Sequence, residues 1–172
     1  MRIIVTKNYE EMSKKAANMV ASQIILKPNS ILGLATGGTP VGMYKELVDA
    51  YMRGLFDFKK VKTFNLDEYY GLDKNNAQSY YYYMMDNLFN HVDIELNNIN
   101  IPNGMAEDIE KECIRYEEKI KALGGIDLQV LGIGKNGHIG FNEPDVKFEA
   151  ETHLVKLDED TIEANSRFFS SI

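Results

Sequence analysis

Residues 126–144 read IDLQVLGIGKNGHIGFNEP, an apolar run that passes directly into a polar, glycine-rich turn. Residues 126–133 have the length and the β-branched content of a buried strand, and the turn that follows contains His138 and Glu143. In open parallel sheets, ligands bind just beyond the carboxyl ends of the strands. The stretch therefore predicts a strand that delivers a histidine and a glutamate to a binding site.

Two other predicted strands also end in residues that suit a binding site. Residues 31–35 are apolar and run into TGGTP, and residues 61–66 end in Asp67 and Glu68. Strands alternate with helical patterns along the chain, which predicts an α/β fold with a mostly parallel sheet. We expect three layers, with helices on both faces of the sheet in a Rossmann-like arrangement. The carboxyl ends of the three strands would then share one edge.

The remaining elements follow from periodicity and from capping residues. We expect two further strands, a short one at residues 2–5 and one at residues 153–157. We also expect four helices: one that begins at Asn8 and Glu11, one over residues 79–89 capped by Ser79, one ended by Gly124 and Gly125, and one at residues 160–169.

The TGGTP loop has the features of an anion site. Gly37 and Gly38 allow a tight turn, Thr39 suits the N-cap of the next helix, and Pro40 suits its first helical position. The free amides at such a helix start, together with the helix dipole, attract a phosphate group. The same pattern also occurs in ordinary strand-to-helix turns, so the loop alone leaves both interpretations open.

Asp67 and Glu68 are adjacent, and adjacent side chains of an extended segment point to opposite sides. They therefore do not form a facing carboxylate pair, and at most one of them enters the binding site. Adjacent acids after a strand are often only solvated. Their place at the carboxyl end of a strand is what favours a functional role for one of them.

The composition favours a small metabolite as the partner. Asp and Glu (26) outnumber Lys and Arg (19), which gives a formal net charge of −7 and argues against a nucleic-acid or membrane-surface partner. No stretch has the length of a membrane span or the form of a signal peptide, so we expect a cytoplasmic protein. The sequence does not decide the oligomeric state, and a homo-oligomer stays open.

We expect neither a metal nor another cofactor. Cys113 is the only cysteine, which excludes a disulfide framework and a thiolate metal site, and we interpret it as a buried helix residue. The three histidines lie far apart and have no paired acids at ligand spacing. We interpret His91 as a capping or packing residue.

Four segments, LGLATGGTP, TFNLDEYYGL, LGIGKNGHIGFNEP and ANSRFF, resemble the glucosamine-6-phosphate deaminase family in order and in spacing. The resemblance extends from residue 1 to residue 169. TGGTP is weak support because the related 6-phosphogluconolactonases have a similar loop. FNLDEY together with GHIGFNEP is specific to the deaminases.

The resemblance implies conversion of glucosamine 6-phosphate and water into fructose 6-phosphate and ammonia. It assigns transfer of the C2 proton to Asp67 and opening of the sugar ring to His138, with Glu143 and Asn136 assisting. Several relatives have aspartate at the position of Asn136. The chemistry suits these residue types, because imidazole exchanges protons near neutral pH and a desolvated carboxylate becomes a stronger base.

The resemblance also implies a phosphate site made of the loop residues Thr36, Gly37, Gly38 and Thr39, of Arg167, and of a lysine located beyond residue 172. Members of the family are longer than this chain. We therefore expect a single α/β domain over residues 1–172 that lacks the C-terminal part of the family. The alternatives are a 6-phosphogluconolactonase-like hydrolase and a non-catalytic fragment that binds a sugar phosphate.

Overall fold

The computed structural model describes residues 1–144 and 149–157, which contain a parallel sheet and four α-helices. The four strands are β1 (Ile31–Leu34), β2 (Lys62–Asn65), β3 (Ile99–Asn100) and β4 (Leu128–Gln129), and their order in the sheet is β3-β2-β1-β4. The helices are α1 (Tyr9–Leu26), α2 (Val41–Met52), α3 (Tyr80–Asn87) and α4 (Ile109–Ala122), and two short 3-10 helices span Phe89–His91 and Leu96–Asn98.

The sheet register places three strand ends side by side. Leu32 of β1 pairs with Thr63 of β2 on one side and with Leu128 of β4 on the other, and both pairings are parallel. The carboxyl ends of β2, β1 and β4 therefore adjoin at one edge of the sheet. The predicted shared edge is confirmed.

The helices cover both faces of the sheet because the strand side chains alternate. Leu32 and Leu34 are buried in the cluster that contains the inner faces of α1 and α2. Ile31 and Phe64 pack on the opposite face against Tyr116 of α4, with the Phe64 and Tyr116 ring centroids 5.6 Å apart. The three-layer α/β fold is confirmed.

The helix ends follow the predicted signals. The side chain of Asn8 accepts a hydrogen bond from the Glu11 amide at 2.8 Å, and Ser79 Oγ accepts one from the Tyr82 amide at 3.0 Å. Both residues of the Gly124–Gly125 turn have φ of +90°, a conformation that glycine adopts without strain. The starts of α1 and α3 and the end of α4 are therefore confirmed.

Three strand predictions are wrong in extent or in kind. Residues 2–5 and 153–157 form no strand, and Ile3 is 75% exposed. β4 contains two residues rather than the predicted 126–133, and Ile133 is 77% exposed. Within the described residues β4 pairs only with β1, so no second neighbour extends its hydrogen-bond ladder. The helix predicted at residues 160–169 lies outside the described residues.

No helix in the described part of the chain is long and apolar enough to cross a membrane.

Candidate active site

Asp67 follows β2 at the shared edge, and its carboxyl group is half-buried. Burial, and to a smaller extent the neighbouring charge of Glu68, raise the pKa of Asp67 from 3.8 to about 7. Within the described residues no hydrogen bond reaches this carboxyl group. An ionisable group that is neither neutralised nor stabilised by a partner is a candidate for proton transfer.

Glu68 has a different role from Asp67. Its Oε1 accepts hydrogen bonds from the amides of Tyr69 at 2.8 Å and Tyr80 at 3.0 Å, and its Oε2 accepts one from the amide of Tyr81 at 3.0 Å. Glu68 thus binds the start of α3, while the Asp67 carboxyl group remains available for proton transfer in the site. The two acids are divided as the alternation of side chains predicted.

His138 lies in a hydrogen-bonded chain that ends in a carboxylate. Its Nδ1 is 2.6 Å from Oδ1 of Asn136, and Nδ2 of Asn136 donates to Oε2 of Glu143 at 2.8 Å. Because an amide oxygen only accepts, Nδ1 is the protonated nitrogen and Nε2 is left to face a substrate. His138 therefore reaches the Glu143 carboxylate only indirectly, with the Asn136 amide between the two.

Two glycines of this turn make room for the site. A Cβ atom at Gly134 would lie 2.1 Å from Cε1 of His138, so only glycine leaves space for the imidazole ring. A Cβ atom at Gly140 would lie 2.6 Å from Cδ2 of Leu66 and 3.0 Å from Oδ2 of Asp67. The backbone of residues 134–144, which we call the histidine turn, therefore lies directly against Asp67, although about 70 residues separate Gly140 from Asp67 in sequence.

The TGGTP loop lies at the start of α2, but its cap differs from the expectation. The helix begins at Val41, so Pro40 and not Thr39 occupies the N-cap position, and no side chain caps the helix there. Within the described residues, the amides of Gly37, Gly38 and Thr39 donate no hydrogen bond. These amides are free to bind an anion, as the first turn of a helix favours.

Two tyrosines fix the carbonyl groups of this loop, and sequence reasoning did not identify either of them. The Tyr83 hydroxyl donates to the Gly37 carbonyl at 2.6 Å, and the Tyr9 hydroxyl donates to the Thr39 carbonyl at 3.0 Å. Only the position of α3 beside TGGTP in space reveals the contact of Tyr83.

An aromatic cluster joins the two halves of the site. Phe141 of the histidine turn lies 5.0 Å from Tyr69 and 5.6 Å from Tyr80, measured between ring centroids. The Tyr80 hydroxyl donates to the Tyr69 hydroxyl at 3.3 Å. Contacts of this kind are worth about 1 kcal/mol each beyond burial. The cluster holds the histidine turn against the segment that contains Asp67.

A cavity of about 780 Å³ lies beside α4 and reaches Asp67 and Phe141. Neither His138 nor the TGGTP loop lines it. The groups that suit catalysis and anion binding meet at the sheet edge, so we place the candidate site there and not in the cavity.

Arg167, the other predicted phosphate ligand, lies outside the described residues. Among those residues no group of three or more His, Cys, Asp or Glu side chains gathers to hold a metal ion.

His91 and Cys113, whose roles were also predicted from the sequence, lie away from the sheet edge that contains the candidate site. Nε2 of His91 is 2.7 Å from the carbonyl of Asp86 at the end of α3, which confirms a capping role. Cys113 lies in α4, as predicted, but it is half-buried rather than buried.

The sequence model of the family described as "Glucosamine-6-phosphate isomerases/6-phosphogluconolactonase" matches residues 6–156. This chain belongs to that family. A glucosamine-6-phosphate deaminase of Clostridium botulinum (strain Loch Maree / Type A3) is 72% identical over 171 residues, which cover 99% of this chain and 70% of that relative. A glucosamine-6-phosphate deaminase of Clostridium novyi (strain NT) is 66% identical over 171 residues, which cover 99% of this chain and 71% of the length of that relative.

Solved structures give the same family and distinguish its branches. A monomeric glucosamine-6-phosphate deaminase matches with a TM-score of 0.97 and 47% identity, over 99% of this chain and 71% of that chain. A 6-phosphogluconolactonase from Thermotoga maritima matches with a TM-score of 0.68 and 24% identity, over 81% of this chain and 63% of its own. The second likeness shows a shared fold only.

Proposed function

We propose that this protein is a glucosamine-6-phosphate deaminase, which converts glucosamine 6-phosphate and water into fructose 6-phosphate and ammonia. The observation that carries the proposal is the position of Asp67, a half-buried carboxyl group with a pKa of about 7 that lies against the turn of His138. The 72% identity to a deaminase favours this substrate over a lactone. The reaction is an aldose-to-ketose isomerisation followed by hydrolysis of a carbon–nitrogen bond.

In the proposed first step, His138 opens the sugar ring. Nε2 removes the proton of the C1 hydroxyl and returns a proton to the ring oxygen, so that the bond between C1 and the ring oxygen breaks. The contact between Nδ1 and Asn136 holds the ring in the tautomer that this step needs. Glu143 in turn orients the Asn136 amide.

In the proposed second step, Asp67 transfers a proton from C2 to C1. Removal of the C2 proton gives an enolamine whose C1 oxygen takes up a proton, and protonation of C1 together with loss of one proton from the nitrogen gives an imine at C2 and a hydroxyl group at C1. Water adds to the imine, and ammonia leaves as the C2 ketone forms. A carboxylate whose pKa is about 7 is a much stronger base than a solvated one while still being ionised in half of the molecules at neutral pH.

The proposed phosphate site is the loop of Thr36, Gly37, Gly38 and Thr39. The free amides of this loop and the dipole of α2 support binding of the phosphate at the sheet edge. By resemblance, Arg167 supplies a second contact. Binding the phosphate here would hold C1 and C2 of the open sugar between His138 and Asp67.

The proposal is tested by measuring ammonia release from glucosamine 6-phosphate with the protein and with a His138→Asn variant. We expect His138→Asn to lower kcat/KM by at least ~100-fold, because it removes the group that transfers the ring-opening proton. His91→Asn is the matched control and should retain activity, since His91 bonds to the carbonyl of Asp86 at the end of α3, away from the sheet edge.

Hydrolysis of 6-phosphogluconolactone is measured in parallel. Lactone hydrolysis without ammonia release would contradict the proposal and favour the lactonase alternative. Equal activity in the His138→Asn and His91→Asn variants would remove His138 from the mechanism.

A further inference from the structure

Glu68 lies beside Asp67 and is held by several hydrogen bonds, although the proposed reaction does not use it. Its two carboxylate oxygens accept three amide hydrogen bonds at 2.8–3.0 Å. We propose that Glu68 is a positioning residue, which anchors Asp67 to the start of α3 and imposes a negative charge beside it. The inference rests on the proposed function, in which Asp67 transfers the proton.

The contacts make Glu68 a cap supplied from outside the helix. The amides of Tyr80, Tyr81 and Tyr82 open α3 and have no partners within the helix. Glu68 binds the first two, and Ser79 Oγ binds the third. A carboxylate is favoured at this end by the helix dipole. The segment that contains Asp67 is thereby fixed to a regular element rather than left as a loop.

Fixing Glu68 determines the direction of Asp67. Because neighbouring side chains of an extended segment point to opposite sides, a Glu68 side chain that is bound to α3 directs Asp67 toward the histidine turn. Gly140 closes that side, with the position of its missing Cβ 3.0 Å from Oδ2 of Asp67. A shift of about 1 Å at a proton-transfer group is enough to lower a rate by about 100-fold.

The charge of Glu68 acts on Asp67 with little competition from the groups around it. Tyr69, Tyr80 of α3 and Tyr116 of α4 interact with Asp67, but burial raises the pKa of each phenol, so all three are neutral in the physiological range. Other titratable groups line the same cavity as Asp67 or lie on the histidine turn: Glu112, which is paired with Arg115 at 2.6 Å, Glu117, Glu149, Glu151, His153, Lys156, His138 and Glu143.

The experiment is a ¹³C NMR titration of the Asp67 carboxyl carbon in the ligand-free protein, with the signal assigned by its loss in Asp67→Asn. Glu68→Gln removes the charge but retains an Oε1 that accepts two of the three amide bonds. We expect the pKa of Asp67 to fall by roughly half a unit or more in this variant. The acid limb of kcat/KM for ammonia release should move to lower pH by the same amount.

Ser79→Ala is the matched control, because it removes the other capping bond of the same helix end without changing a charge. It should lower the Tm as Glu68→Gln does and leave the pKa of Asp67 unchanged. If Glu68 only caps α3, the two variants will behave alike, and the inference is wrong.

A third readout needs no change at Glu68. In the unaltered protein, the Asp67 signal should show a second inflection as Glu68 titrates, since coupled carboxyl groups titrate together. A single inflection would contradict the inference. The titration needs no substrate, so a protein that fails to release ammonia would overturn the proposed function and still test the coupling of Glu68 to Asp67.

Discussion

At the scale of single residues, the site contains a carboxyl group in an environment that opposes its ionisation. Asp67 must be ionised to accept a proton, yet burial and the neighbouring Glu68 both raise its pKa. Groups of this kind reduce the stability of a protein in exchange for reactivity. Asp67 is therefore expected to affect activity and stability in opposite directions.

Replacing Asp67 by Asn should stabilise the protein at alkaline pH. The pKa of Asp67 is raised from 3.8 to about 7 on folding, so the folded state binds more protons between these values and stability falls as pH rises through this range. We expect Asp67→Asn to be more stable than the unaltered protein by up to about 4 kcal/mol at pH 8. Urea unfolding at pH 8 and at pH 5 measures the difference, which should be smaller at pH 5. Equal stability at pH 8 would show that Asp67 is not held in an opposing environment.

The types of the site residues could be predicted from the sequence, but their connections could not. Asp67, His138 and Glu143 stand out because they follow apolar strands, and Asn136 was identified through the family resemblance. The order Glu143, Asn136, His138 in the hydrogen-bonded chain depends on rotamers within a glycine-rich turn, and sequence spacing does not determine rotamers. The contact of Tyr83 with the TGGTP loop depends on tertiary packing in the same way.

At the scale of elements, the histidine turn and the end of β2 fit together only because Gly140 has no side chain. Gly140→Ala would place a Cβ atom against Leu66 and Asp67. Gly137→Ala is a matched control, since both glycines have positive φ and, among the residues that the structure describes, its Cβ atom would meet only Pro144, at 3.7 Å. Both variants should lose about 1 kcal/mol of stability from backbone strain.

Only Gly140→Ala should also lose activity, by about 100-fold, because the new methyl group displaces the turn from Asp67. Urea unfolding and kcat for ammonia release measure the two effects separately. Equal loss of activity in both variants would mean that strain in the turn, rather than contact with Asp67, controls the rate.

The elements that could be predicted from the sequence are those whose signals are local. The caps at Asn8 and Ser79 and the glycines after α4 determine helix ends by short-range hydrogen bonds and by φ. Residues 2–5 and 153–157 have strand-like composition but no neighbouring strand among the described residues. A strand needs a partner, and composition alone does not supply one.

At the scale of the whole molecule, the parallel sheet is what assembles the site. β2, β1 and β4 lie side by side, so their carboxyl ends bring Asp67, the TGGTP loop and the turn of His138 to one edge. This arrangement could be predicted from the alternation of strands and helices, because parallel strands end at the same side. The chain spans 70–71% of the length of the deaminases reported above, and the described part already contains both proposed proton-transfer groups.

The most direct test of the central claim is the pH dependence of kcat/KM for ammonia release from glucosamine 6-phosphate, measured for the protein and for Asp67→Asn. The account predicts that kcat/KM falls below pH 7 by about tenfold per pH unit as Asp67 is protonated. It also predicts that Asp67→Asn is at least ~100-fold less active at pH 8. Any change with pH that the substrate itself causes remains in Asp67→Asn and can be subtracted. An Asp67→Asn variant that keeps most of the activity and the same pH profile would contradict the claim.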